Sequence, residues 1–177
     1  MTTRELRNRI ISGLAAYLGQ PVRLADQAVP ESECPYMFYQ PIAPYLPGAS
    51  DIVRERVPGV GDHPHDIMST RREQAQATFS FSACSHNRET PDGYRFGDDE
   101  AQDLAERAQG WFLHVGKPAL ALDGIVVLEV HNVTNRTAIE VDEVERRYGF
   151  DVRLRYLRVD QRRDNTVEAA TIAPESH

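Results

Sequence analysis

The sequence predicts an α+β fold: a mostly antiparallel, mixed β-sheet with two main helices packed on one face, plus a long strand or arm and a long loop. Three observations point there. Within Glu143–Asp160, Tyr148, Phe150, Val152, Leu154 and Tyr156 alternate with Gly149, Asp151, Arg153 and Arg155, as in a strand with one face on a core and the other on water. Thr78–Cys84 alternates in the same way, with Phe79, Phe81 and Ala83 inward and Ser80 and Ser82 outward. Two further stretches instead repeat their apolar residues every three or four positions, the spacing of a helix with one buried face. Packing two such helices on a sheet gives a layered α+β domain, with the opposite sheet face free for partners.

The elements follow in order. Leu6, Ile10, Leu14 and Leu18 make the first helical stripe, capped by Thr2 or Thr3 and stopped at Gly19-Gln20-Pro21. Val22–Leu24 forms a short strand. Ala28–Pro35 is a loop, and Tyr36–Gln40 a strand that Tyr45 and Leu46 continue after a kink at Pro44. Pro47 to Ile67, interrupted by Pro47-Gly48, Pro58-Gly59, Gly61 and Pro64, is a long loop, with a short helical turn at Asp51–Arg56. A loop of that length is uncommon in a compact domain and is usually functional or disordered. Arg71–His86 is one long strand, and Pro91-Asp92-Gly93 a turn.

Asp98, Asp99 and Glu100 open the second helix, where carboxylates suit the positive end of the helix dipole. Its stripe is Leu104, Ala108, Trp111, Phe112 and Val115, ending at Gly116-Lys117-Pro118. Leu120 and Leu122 sit on a short turn. The nearly continuous apolar run Ile125–Val130 reads as a covered central strand. Asn132–Thr137 is a loop. Val141–Asp160 is then the long strand, spanning on the order of 50–65 Å at ~3.3 Å per residue. That exceeds a small domain, so it must bend, with Gly149 the candidate, or project beyond the sheet. Residues 161–177 form a tail, or an edge strand at Thr166–Ile172.

At 177 residues with no internal repeat, the chain reads as a single domain. Its formal net charge of −7 argues against a dedicated DNA binder, yet suits a surface that DNA only passes. Arg146, Arg147, Arg153, Arg155, Arg158, Arg162 and Arg163 form the one basic concentration, balanced by Glu143, Glu145, Asp151 and Asp160. Two cysteines, Cys34 and Cys84, fit reduced thiols better than a disulfide scaffold. No run approaches the ~20 apolar residues of a membrane helix.

The motifs that bear on chemistry are weak. His63, His65 and Asp66 are residue types that ligate metals and carry the alternative reading, a small metal-dependent hydrolase; no second cluster completes the site. Cys84 and His86 lack an orienting acid, and Gly59-Val60-Gly61 lacks the strand–turn–helix setting of a nucleotide site. The expectation is no catalytic residues, no cofactor and no metal.

The run from Gly124 to Arg155, read as GIVVLEV, then NRT, then DEVERRYGFDVRLR, resembles the C-terminal half of the phage neck terminator, or tail terminator, family. The helix with Trp111 and Phe112 and the strand TFSFSA fit the same pattern. The resemblance covers about the last two thirds of the chain; its most specific part is ERRYGFDVRLR. Members are ring-forming head–tail connection proteins of tailed bacteriophages. It implies a structural virion protein, assembled in the host cytoplasm, that forms a hexameric ring and caps the tail tube. Its partners would be further copies of itself, the tail tube protein and the head-side connector. Double-stranded DNA would pass through the lumen without being read, and no membrane is involved. In such a ring Arg153 and Arg155, with Asp51, Arg54 and Arg56 of the loop, are the expected subunit-interface residues.

Overall fold

The computed structural model describes residues 1–25, 34–61, 64–137 and 145–165. Helix α1 (Thr3–Leu18) starts on a capping box: the Thr2 hydroxyl accepts the Glu5 amide at 3.2 Å, and the Glu5 carboxylate accepts the Thr2 amide at 2.7 Å. It ends at Gly19, whose φ of 73° is the left-handed cap that glycine takes without strain. Leu6, Ile10, Leu14 and Leu18 are its buried face, as the spacing predicts. Strand β1 (Val22–Leu24) runs parallel to β2 (Tyr36–Leu46). β2 passes Pro41 and Pro44 without ending, because register shifts between Pro41, Ala43 and Leu46 absorb the lost donors.

The predicted long loop is instead mostly a hairpin. β3 (Ser50–Pro58) pairs antiparallel with the start of β4 (His65–Ser85), so the expected helical turn at Asp51–Arg56 is strand. β4 thus begins six residues before the predicted start at Arg71. β2 and β3 lie end to end along one side of β4: β2 pairs with Gln76–Cys84 and β3 with His65–Glu73. They are one strand interrupted at residues 47–49. β9 (Arg146–Asn165) fills the other side of β4, from Ser85↔Arg146 to Asp66↔Asn165 with no register shift. Residues 161–165, expected in the tail, therefore continue the long strand; the predicted edge strand at Thr166–Ile172 and residues 141–144 lie outside the described residues.

The β4–β9 ladder passes Gly149 without a register shift. A Cβ there would lie 2.5 Å from the Phe81 carbonyl oxygen, so this glycine serves close strand approach. The excess length projects: beyond Glu73 and Arg158 the ladder among the described residues has only β3, β4 and the end of β9, a three-stranded arm.

Strands β5 (Arg88–Thr90) and β6 (Gly93–Arg95) form a small hairpin turning at Pro91-Asp92. Helix α2 (Gly97–Gly110) continues into a π-helical turn at Trp111–Val115, followed by α3 (Lys117–Leu122). The wide turn changes the helical phase. Trp111 and Phe112 stay in the core, while Val115, expected inward, is exposed. Trp111 lies against two glycines: a Cβ at Gly116 or Gly13 would come within 2.3 or 2.9 Å of its ring. α1 can therefore approach closely. Leu120 is buried on α3, whereas Leu122 is fully outward; the predicted turn here is helix.

β7 (Ile125–Val130) and the two-residue β8 (Thr134–Asn135) both pair with β9. The main sheet runs β1-β2-β4-β9-β7, so β7 is an edge, not the predicted central strand. The helices cover one face. There Phe79, Phe81, Phe150, Val152, Leu154, Tyr156, Phe112 and the α1 stripe make the core. Tyr156 keeps its hydroxyl satisfied 3.1 Å from that of Thr3.

Candidate assembly surface

The arm joins the body at a buried acid. Glu73 is fully buried on the face shared with Ala75, Ala77 and Phe79. Its carboxylate accepts the Tyr45 hydroxyl at 2.9 and 3.0 Å and the Gly48 amide at 3.1 Å, and pairs with Arg71 at 3.2 Å. Arg158 stacks on the Tyr45 ring with its guanidinium carbon 4.9 Å from the centroid. Burying a carboxylate is tolerated because each oxygen has partners. The signal was available in the sequence: Glu73 continues the inward alternation of Ala75, Ala77 and Phe79.

The arm's far end is held by a second buried acid. Asp66 receives Arg163 Nε at 2.7 Å, and Arg163 also donates to the Pro58 carbonyl. This engages a residue of the proposed metal cluster: Asp66 is 1% exposed and already paired with a guanidinium. His63 lies outside the described residues, and among those described no group of three His, Cys, Asp or Glu could hold a metal. The surroundings of Cys84 disfavour the thiolate that a Cys84–His86 nucleophile would need. Cys84 is buried, not on an exposed strand, and burial pushes its thiol up to about 12. Both Cys34 and Cys84 are free.

The expected interface residues divide between the two sheet faces. Arg153 and Arg155 lie on the face away from the helices. Arg153 is already paired with Glu129 of β7 at 2.9 Å, an exposed contact that adds about 0–1 kcal/mol. Arg155 stands between Gln76 and Val126, and its Nε is buried with no partner. Arg54 and Arg56 lie opposite Ser69 and Ile67, on the helix side of the sheet, and Asp51 opposite Arg72, on the other side. Arg54 and Arg56 are exposed and make no ion pair among the described residues.

A polar cluster missed by sequence reasoning covers part of the face away from the helices. Arg136, from the segment after β8, donates to Ser80 at 2.6 Å and to Asp151 at 2.9 Å, and Ser80 donates to Asp151 at 2.7 Å. Burial raises the Asp151 pKa, but the Ser80 hydroxyl and Arg136 guanidinium outweigh it and hold the carboxyl below its ordinary value. A depressed folded pKa contributes stability that is complete above the unfolded value and is lost as pH falls through the folded one. Acid should therefore weaken the protein below about pH 4. Asp151→Asn should flatten that limb in urea titrations at pH 7 and pH 3; equal acid losses in both proteins would exclude this role.

Both long edges of the sheet carry exposed apolar side chains. Val126 and Leu128 on β7 are 41% and 39% exposed, with Leu122, Leu113 and Val115 on the helical elements before it. On the other side Ile42 and Leu46 of β2 and Ile52 of β3 are exposed. No described helix is long and apolar enough to cross a membrane, so these residues are not part of such a span.

No curated protein matches the chain. A family model described as phage neck terminator protein matches residues 4–176, nearly the whole chain and well beyond the part that carried the sequence resemblance. The chain therefore belongs to the phage neck terminator family, and is a structural protein of the bacteriophage neck and so of the virion.

Proposed function

We propose that copies of this chain, assembled in the host cytoplasm, close a hexameric ring that caps the tail tube and joins it to the head-side connector. Double-stranded DNA passes through the lumen without sequence readout. The observation that carries this reading is the pair of dissimilar edges left open among the described residues, β7 on one side of the sheet and, on the other, β3 with the part of β2 beyond its pairing with β1. A two-fold dimer needs one surface that matches itself, whereas a closed ring needs two different surfaces that match each other. Open strand edges with exposed apolar residues favour association with another chain. The net charge of −7 suits a wall past which phosphates slide. Arg155, with its unpartnered Nε, is the better interface residue of the β9 pair, since Arg153 is already bound to Glu129.

The test is particle mass by light scattering, with negative-stain images of the protein alone and with tail tubes. Wild type should give closed rings. The double variant Val126→Glu, Leu128→Glu should give a folded monomer, since surface changes of this kind shift stability by only about 0.5 kcal/mol. A wild type that stays monomeric at every concentration, tubes present or not, rules the ring out.

A further inference from the structure

We propose that the helix-side face of the arm is a carboxylate-binding site, and that it receives Asp99 and Asp103 from α2 of a neighbouring copy. This deepens the ring reading and rests on it. At the centre is Ser69, 9% exposed, whose hydroxyl is buried without a partner. Arg54 lies directly across from it on β3 and Arg162 directly across on β9. These residues, with Ile52, Arg71, Asp160 and Gln161, line a cleft of about 240 Å³. That volume is below the ordinary range for small-molecule pockets and suits the end of a side chain.

The charges narrow the occupant. Arg71 is engaged by Glu73 and Asp160, and Arg162 by Asp164. Arg54 and Arg56 are left over on this face, while Ser69 offers a hydroxyl donor. A guanidinium fork beside a hydroxyl is a receptor for a planar carboxylate. Asp160 and Asp164 on this face are each held by an arginine, Asp160 by Arg71 and Arg158 and Asp164 by Arg162, and a chain of formal net charge −7 suits a single carboxylate there better than the polyanion of duplex DNA. The chain carries its own anions in the complementary pattern. Asp99 and Asp103 are exposed on α2 and have no ionic partner among the described residues. Arg54 and Arg56 repeat along a strand every ~6.6 Å; Asp99 and Asp103 repeat along a helix every ~6 Å. Two arginines can therefore meet two aspartates in step. Among the described residues the arm projects past the body strands of the sheet, which leaves this face open to a neighbour.

The experiment follows ring assembly by light scattering against protein concentration. Arg54→Glu with Arg56→Glu should raise the assembly midpoint at least about tenfold, as should Asp99→Arg with Asp103→Arg. Combining all four changes in one chain should restore assembly. Ser69→Ala should weaken it about threefold with no change in melting temperature, and Asp103→Arg alone, beyond the first turn of α2, separates charge pairing from helix capping. Rings that form in the reversed variants as in wild type overturn the site and leave the ring reading standing. So does a folded quadruple variant that stays monomeric. Intact rings that lose only tail-tube binding assign the site to the tube protein, and wild-type duplex binding abolished by Arg54→Glu, Arg56→Glu assigns it to phosphate; either result overturns the proposal. A monomeric wild type removes the ring reading and this inference with it.

Discussion

Phe81→Ala should lower the unfolding free energy by about 3–5 kcal/mol. Phe81 is fully buried in β4, with Phe150 beside it on β9 and Tyr39 on β2. Its ring centroid is 5.0 Å from Phe112, 5.7 Å from Phe150 and 6.4 Å from Tyr39. Removing it therefore opens a cavity touched by three strands and the π-helical turn at once. The walls are a continuous sheet and a helix fixed by Trp111, so they cannot collapse to fill the void. Against a typical total of about 5–15 kcal/mol, that loss is about a fifth of the stability or more. A urea titration should show the midpoint falling with an unchanged slope, since the surface exposed on unfolding is the same. Leu128→Ala, on the exposed side of β7, should change stability by only about 0.5 kcal/mol. A Phe81→Ala loss near that of Leu128→Ala would mean that the sheet and helices are not packed through this cluster.

The contrast between these residues also explains what the sequence could and could not reveal. Tyr148–Tyr156 and Thr78–Ala83 show clean alternation because each has one face on the core of the chain itself. β3 has no such face. Ile52 and Val53 point to opposite sides and Arg54, Glu55 and Arg56 follow, so nothing within the chain imposes a period of two. Its prolines and glycines, at its ends or beyond them, were visible and suggested a loop. Ile125–Val130 misled in the other direction. Its outward Val126 and Leu128 look like residues covered on both faces, yet the chain by itself leaves them exposed. Under the ring reading the sequence here records burial supplied by a neighbour. The π-helical turn was hidden for a different reason: one wide turn moves Val115 out of a stripe whose spacing is otherwise regular. Of the candidate site, the arginines were legible as residues but their faces were not, because Arg54 and Arg56 acquire a face only once β3 is paired with β4.

Gly48→Val should detach the arm while leaving the body folded. At residues 47–49 the chain passes from β2 to β3 beside β4, and a Cβ at Gly48 would lie 1.8 Å from the Gln74 carbonyl oxygen. That neighbour is backbone in the middle of a strand held on its other side by β9, so it cannot yield cheaply. Relief must come from β3 moving away. Doing so breaks the bond from the Gln74 amide to the Ala49 carbonyl, 2.8 Å, and the bond from the Gly48 amide to Glu73. Glu73 would then remain buried with fewer donors, which adds to the cost of the overlap. Together these effects should amount to about 3 kcal/mol or more, felt mainly in the arm. Hydrogen exchange should show lost protection across Ser50–Pro58 with Phe79–Ser85 still slow, and limited proteolysis should cut within β3. Under the ring reading, assembly should fail even though Arg54 and Arg56 are intact, because their spacing depends on β3 staying paired. Full protection of Ser50–Pro58 in Gly48→Val would show that the arm is secured elsewhere, and would leave the Arg54–Ser69 cleft as a site that does not depend on this crossing.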